Sequence, residues 1–199
     1  MLSLALLTLL GYGTPDSETA SNLFGMFHTF HFLHIIFAAT GVVAAYRRYA
    51  KDFLGVLIVG TVVPLVFCTL SDAVMPYLGG RMCGLPMQFH WCLTDHFSTI
   101  MLFLIVGAIN GYVVSIHKES TGLFSSHASH FIHIFISAFA STLYLVASGF
   151  TAWSGHIGFV FLYLLVAVLV PCTIADVVVP LWFGLQRGSV DDEIGRAHV

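Results

Sequence analysis

Residues Phe53–Leu70 read FLGVLIVGTVVPLVFCTL. The stretch carries no charge, and apolar positions recur at neither the strand period nor the surface-helix period. A continuous apolar run of this length fits a helix in hydrocarbon. Its β-branched residues do not argue for a strand. Inside a bilayer only a helix or a closed barrel satisfies every backbone N–H and C=O. Pro64 would kink such a helix rather than abolish it.

The same pattern returns on both sides of this run. A first span covers about Leu23–Tyr46 and is closed by Arg47, Arg48 and Lys51. A loop rich in Gly, Pro and Met is expected over Ser71–Leu93. Spans three, four and five are expected over about Thr94–Ile116, His127–Trp153 and Ile157–Phe183, the last holding Pro171, Asp176 and Pro180. A polar turn at His117–Ser120 and a tight link at Ser154–His156 separate them. The expected fold is all-α: a polytopic transmembrane bundle with a membrane domain over 23–184.

Composition agrees. The chain of 199 residues is 58% apolar and 9% charged, with mean hydropathy +0.92. A soluble domain is about 45–50% apolar and ~25% charged, so this chain lacks the polar surface of a water-soluble globule. Disorder is excluded on the same ground. Seven Lys+Arg against ten Asp+Glu leave no basic patch for nucleic acid. At the N-terminus, residues 1–22 read as a signal-like or truncated apolar segment, Leu2–Leu10, followed by an exposed polar loop, Gly13–Asn22. Residues 185–192 form a polar tail. Residues 193–199 end in Ile-Gly-Arg-Ala-His-Val, which matches one reading frame of a common sequencing adapter, so the expectation is that His198 carries no biology and that the natural chain continues.

Lys and Arg set the expected orientation. With the N-terminus outside, Arg47, Arg48, Lys51, Lys118 and Arg187 fall on the inner side and only Arg81 on the outer. This suits a plasma-membrane or secretory-pathway protein. Ten of the eleven histidines, all but His198, then sort into two clusters. His28, His31, His34, Asp72, His90, Asp95, His96 and His156 lie in the outer half; His117, His127, His130, His133 and Asp176 lie in the inner half.

Imidazole inside hydrocarbon needs the bundle interior and a partner. In His28-x-x-His31-x-x-His34 each step turns the helix by ~300°, so the three share a face about 120° wide. His127-x-x-His130-x-x-His133 repeats the spacing. Neutral imidazole is the commonest metal ligand, and three protein ligands plus a water make a catalytic zinc site. His28, His31, His90 and His96 are the candidate ligands, and zinc is the expected cofactor. His130 and His133 have a simpler role available, as partners of Asp176. A haem would pair His31 with His96 but leave His130 alone. A His/Asp proton relay has its residues, yet no inverted repeat and no symmetric pair of broken helices is visible to support a transporter. Cys83 and Cys92 share the expected outer loop, where oxidation is permitted, and a disulfide between them is expected unless Cys92 turns inward at the start of span three.

A resemblance adds to this reading. Ser21-Asn22-Leu23-Phe24, Tyr46-Arg47-Arg48-Tyr49, Phe67-Cys68-Thr69-Leu70-Ser71-Asp72, Trp91-Cys92-Leu93-Thr94-Asp95-His96-Phe97-Ser98 and Trp153-Ser154-Gly155-His156-Ile157-Gly158 resemble, in order and spacing, the membrane domain of the transmembrane-protein-eight and myomaker family. That family belongs to the CREST superfamily of seven-span proteins, several of which are zinc-dependent lipid hydrolases. The resemblance implies a fragment holding five spans of seven, with Asp72 and Asp95 as the carboxylates and Ser71 or Thr69 as the hydroxyl. The family's histidine at the end of span two is missing here, and its HxxxH pair would lie beyond this chain. The implied activity is metal-dependent hydrolysis of a lipid ester or amide, with Asp72, Asp95 and Ser71 catalytic and membrane lipid as the partner. The alternatives are a non-enzymatic receptor or fusion-type protein, or a carrier of haem or protons. No protein partner is implied.

The charge imbalance carries a direct test. A single cysteine placed between Arg47 and Lys51 in a cysteine-free background should escape an impermeant maleimide in intact cells. Labelling there would overturn the orientation.

Overall fold

A computed structural model of the chain describes residues 17–117, 123–150 and 153–187. Among these described residues five helices are long and apolar enough to cross a membrane: Glu18–Tyr46, Phe53–Met82, Phe97–Ile116, His130–Ala147 and Gly155–Arg187. They are called spans one to five. No strand occurs among the described residues. The expectations for residues 1–16, for Lys118–Ser120 and for the tail beyond Arg187 lie outside them.

The bundle is apolar outside, and inside it a group of polar side chains is set among apolar core residues. Leu54, Leu57, Ile58 and Val62 on span two, Leu102 and Ile105 on span three, and Leu162 and Val166 on span five are all exposed. In water such a patch would be a liability; against lipid it costs nothing. His31, His34, Ser71, Asp72, His133 and Ser137 are buried instead. Span one is the central helix and packs against spans two, three and four. Spans one and four run antiparallel, since Phe27 meets Tyr144, Phe30 meets Phe139 and His34 meets His133.

Small residues let the backbones approach. A Cβ on Gly107 would lie 2.7 Å from Ile36 O, and one on Gly111 would lie 2.6 Å from Thr40 O. This is the small-xxx-small contact of membrane helices. Thr40 Oγ1 donates to Gly107 O at 3.1 Å and accepts from Asn110 Nδ2 at 3.2 Å. At the start of span two, Asp52 caps the helix by accepting from Gly55 N at 2.7 Å and from Tyr46 Oη at 2.7 Å. Burial works against its charge, but these two donors and Arg187 hold its carboxyl below the usual range.

Several boundaries differ from expectation. Span two does not end at Leu70. It widens into a π turn over Leu70–Val74 and continues as helix over Met75–Met82, so most of the expected Ser71–Leu93 loop is helical. Pro76 explains the turn: it lacks an N–H and its ring conflicts with the carbonyl four residues back, that of Asp72. Gly79 and Gly80 read as loop residues, but they are contact points, closely approached by Tyr163 and Met87. Span five has the same break, a π turn over Ile174–Val178 two residues before Pro180. The turn after span four falls at Ser148–Phe150, where Gly149 takes φ +92° and Phe150 N–H closes onto Leu145 O. Gly155 and His156 are therefore helical, not a link. Helix also begins by Ser17, inside the expected polar loop.

Gly111→Ala should destabilise the bundle by about 1–3 kcal/mol, the usual cost of overpacking. Gly25→Ala, where a Cβ meets nothing within 4 Å, should not. Thermal unfolding in detergent micelles, followed by size-exclusion chromatography, compares them.

Candidate metal centre

The π turn of span two presents Asp72 to the middle of the bundle, where it is 0% exposed. The same turn leaves a backbone carbonyl to satisfy. Met75 N–H bonds Leu70 O and Pro76 has no N–H, so Ser71 O has no donor on its own helix. Ser141 Oγ of span four donates to it at 3.0 Å. Asp72 itself accepts four hydrogen bonds: from His31 Nδ1 at 2.9 Å and His34 Nδ1 at 2.7 Å on Oδ2, and from Ser71 Oγ at 2.8 Å and Ser137 Oγ at 2.7 Å on Oδ1. That fills a carboxylate's acceptor sites, so both histidines carry their proton on Nδ1.

Span five presents Asp176 in the same manner. His133 Nδ1 lies 2.7 Å and His130 Nδ1 3.5 Å from Asp176 Oδ2, the pairing expected from the sequence. The two halves then meet. His34 Nε2 and His133 Nε2 face each other at 2.6 Å, although the sequence reading put them in separate clusters. With Nδ1 of each ring donating to a carboxylate, both Nε2 atoms present lone pairs. Such a contact needs one proton between the nitrogens, or a cation. Cys172 Sγ lies 3.7 Å and Cys68 Sγ 3.9 Å from His34 Nε2. The ligand atoms of His34, His133 and Cys172 all fall within 4.8 Å of one another.

These distances suit a tetrahedral ion. With Zn–N near 2.0–2.1 Å and Zn–S near 2.3 Å, two ligand nitrogens sit about 3.3 Å apart and a nitrogen and a sulfur about 3.6 Å apart. Cys172 Sγ is already near that separation from His34 Nε2, and the imidazoles need to part by under about 1 Å. A carboxylate on the Nδ1–H of each ligating imidazole is the arrangement that usually fixes tautomer and orientation at a metal.

A second group sits at the end of the bundle that carries the loop 83–91. His28 Nε2 and His90 Nε2 are 3.0 Å apart, and with Cys92 they form another set of convergent ligand atoms. The His96 ring lies 4.5 Å from that of His28, and His90 Nδ1 is 3.3 Å from Asp95 Oδ2. Burial, then His96 and His31, hold His90 below the ordinary histidine range, against the pull of Asp95. Burial pushes the Cys92 thiol up to about 12.

Of the residues singled out in the sequence, His28, His90, His96 and Asp95 thus gather in one place, and His31, Ser71 and Asp72 in another. Asp95 is 54% exposed and has His90 and Thr94 as partners, none of which bonds Asp72. His31 and His96, the pair a haem would need, have different partners. The expected disulfide is absent: Cys83 and Cys92 are free, because Cys92 starts the short helix Cys92–Asp95 and turns inward, 1% exposed.

His34, His133, Cys68 and Cys172 were missed as one site, and a signal for them exists. Cys68–Pro76 reads CTLSDAVMP and Cys172–Pro180 reads CTIADVVVP; His28–Ile35 reads HTFHFLHI and His127–Ile134 reads HASHFIHI. Spans one and two therefore recur as spans four and five, in the opposite direction across the bundle. The expectation that no inverted repeat or pair of broken helices exists is corrected by these segments and by the two π turns. No family model, curated protein or solved structure matches the chain.

Alkylation of the denatured chain without reductant should add label to all four cysteines, read by intact mass. Two unlabelled thiols would restore the disulfide.

Proposed function

We propose that the protein binds a transition-metal ion, zinc or a similarly thiophilic ion, at the centre of the membrane bundle. His34, His133 and Cys172 would hold it, and Asp72 and Asp176 would orient the imidazoles. The observation that carries this reading is the pair of Nε2 atoms facing each other at 2.6 Å, each imidazole anchored by its Nδ1 to a buried carboxylate, with two thiols beside them. Soft thiolate and imidazole together select zinc or copper over calcium or magnesium. The need for counter-charge supports it too: among the described residues the ion-pair partners of both carboxylates are histidines, with no Lys or Arg.

Metal-dependent hydrolysis of a lipid ester or amide, the activity implied by the CREST resemblance, is the second reading. The bond from Ser71 Oγ to Asp72 Oδ1 at 2.8 Å favours it, since it sets a hydroxyl beside the same centre. Asp95 would then stand apart from the chemistry.

Elemental analysis of detergent-purified protein should find bound zinc or copper. Cobalt substitution should produce thiolate-to-metal charge-transfer absorption that disappears in Cys172→Ser. Asp72→Asn should weaken metal affinity by about 10–100-fold, as loss of a ligand-orienting carboxylate commonly does. His117→Ala, whose ring bonds its own helix at Val113 O, should change nothing. Metal-free protein with no cobalt absorption would end the proposal. Release of fatty acid from a glycerolipid or ceramide by wild-type protein, lost in Ser71→Ala, would establish the hydrolase.

A further inference from the structure

We infer that the protein moves a divalent transition-metal ion across the membrane, along a line of ligands that the two inverted halves build together. This rests on the central metal site proposed above.

Three sets of ligand atoms converge among the described residues, and they fall in sequence through the bundle. His28, His90 and Cys92 lie at the loop end. His34, His133 and Cys172 lie at the centre. His130, His133 and Asp176 lie beyond it, on the side of Arg47 and Arg187. The steps between them are also furnished. His31 is fully buried, bonded through Nδ1 to Asp72, and its Nε2 has no hydrogen-bond partner. Asp176 Oδ1 is likewise buried without a partner. An unpaired buried lone pair costs free energy. Here one stands on either side of the central site, where each would be a ligand to an ion in passage. A purely structural or single-site role gives no reason for both.

Symmetry supplies the mechanism. Inverted repeats whose broken helices meet at a central site are the architecture of alternating access, in which one half rocks against the other around a fixed site. The two π turns are the breaks, and Asp72 and Asp176 sit at the same position in each. The halves are in different states. Asp72 is sealed at 0% exposure with two serine donors. Asp176 is 9% exposed, and its partner His130 is 40% exposed. Around Asp176, Ala175 and Ala38 hold the repeat positions that Ser71 and Ser137 hold around Asp72, so Asp176 holds an ion less firmly and faces the more open side. An ion entering the centre displaces the proton shared by His34 and His133 and the thiol proton of Cys172, both of which leave to solvent; no bond to carbon is made or broken.

Purified full-length protein in liposomes, with a zinc-sensitive dye inside and zinc added outside, tests this. Saturable zinc entry well above that of empty liposomes is expected. His34→Ala and His133→Ala should each lower it at least tenfold. His28→Ala should slow entry while leaving the zinc content of the central site intact, a split that a structural role would not give. Tight zinc binding in detergent without any flux would overturn transport and leave the binding site standing. Absence of both would overturn both. Proton flux through the protein that neither needs zinc nor is blocked by it would replace metal transport with a proton relay.

Discussion

Two carboxylates lie in the middle of a bundle whose outer surface is hydrocarbon. An ionised group there is expensive unless it is paired and fully hydrogen-bonded. Asp72 meets that demand with two imidazoles and two hydroxyls; Asp176 meets it only on Oδ2, with two imidazoles, and its Oδ1 has no partner. Much of the rest follows. Span one is central because it alone brings His31 and His34 to Asp72. Span four must lie against it because Ser137, Ser141 and His133 come from there. Span three must approach closely, which Gly107 and Gly111 permit. A bundle satisfying both aspartates has little freedom left in how its helices pack.

The same demand accounts for the breaks in spans two and five. A regular helix with Pro76 or Pro180 would clash at the aspartate's own carbonyl. The widened turn removes the clash and frees the carbonyl of Ser71, which Ser141 then satisfies. Span four thus serves both the freed backbone carbonyl, through Ser141, and one oxygen of the Asp72 side chain, through Ser137. A π turn in a membrane helix is tolerated only where such a neighbour exists, and here the neighbour also carries the histidine that faces the site.

Much of the fold was legible in the sequence. Apolar runs of span length, such as Phe53–Leu70, have one solution in lipid, and the spacing of His28, His31 and His34 announced a polar face. What failed was punctuation. Pro76, Gly79 and Gly80 read as a loop because in water they break helices. In a membrane bundle a proline can be absorbed by a π turn, and glycine marks close approach. The site was only half legible. His130 and His133 with Asp176 followed from depth alone. The meeting of His34 with His133 did not, because depth was assigned by halves and both residues lie near the middle. The repeat escaped notice because its two segments are short and the stretches between them differ in length, so no single offset aligns both pairs.

Span three contributes no His, Cys, Asp or Glu between Phe97 and Ile116, and it is the most lipid-exposed of the five. Its part is one of parity. Two copies of a two-crossing hairpin joined by a loop would point the same way, and their histidines would be stacked side by side at one surface. A single extra crossing turns the second copy over, so that His34 and His133 meet head-on. The number of connecting helices, odd rather than even, thus matters more than what that helix is made of, provided its two glycines still let it lie flat against span one.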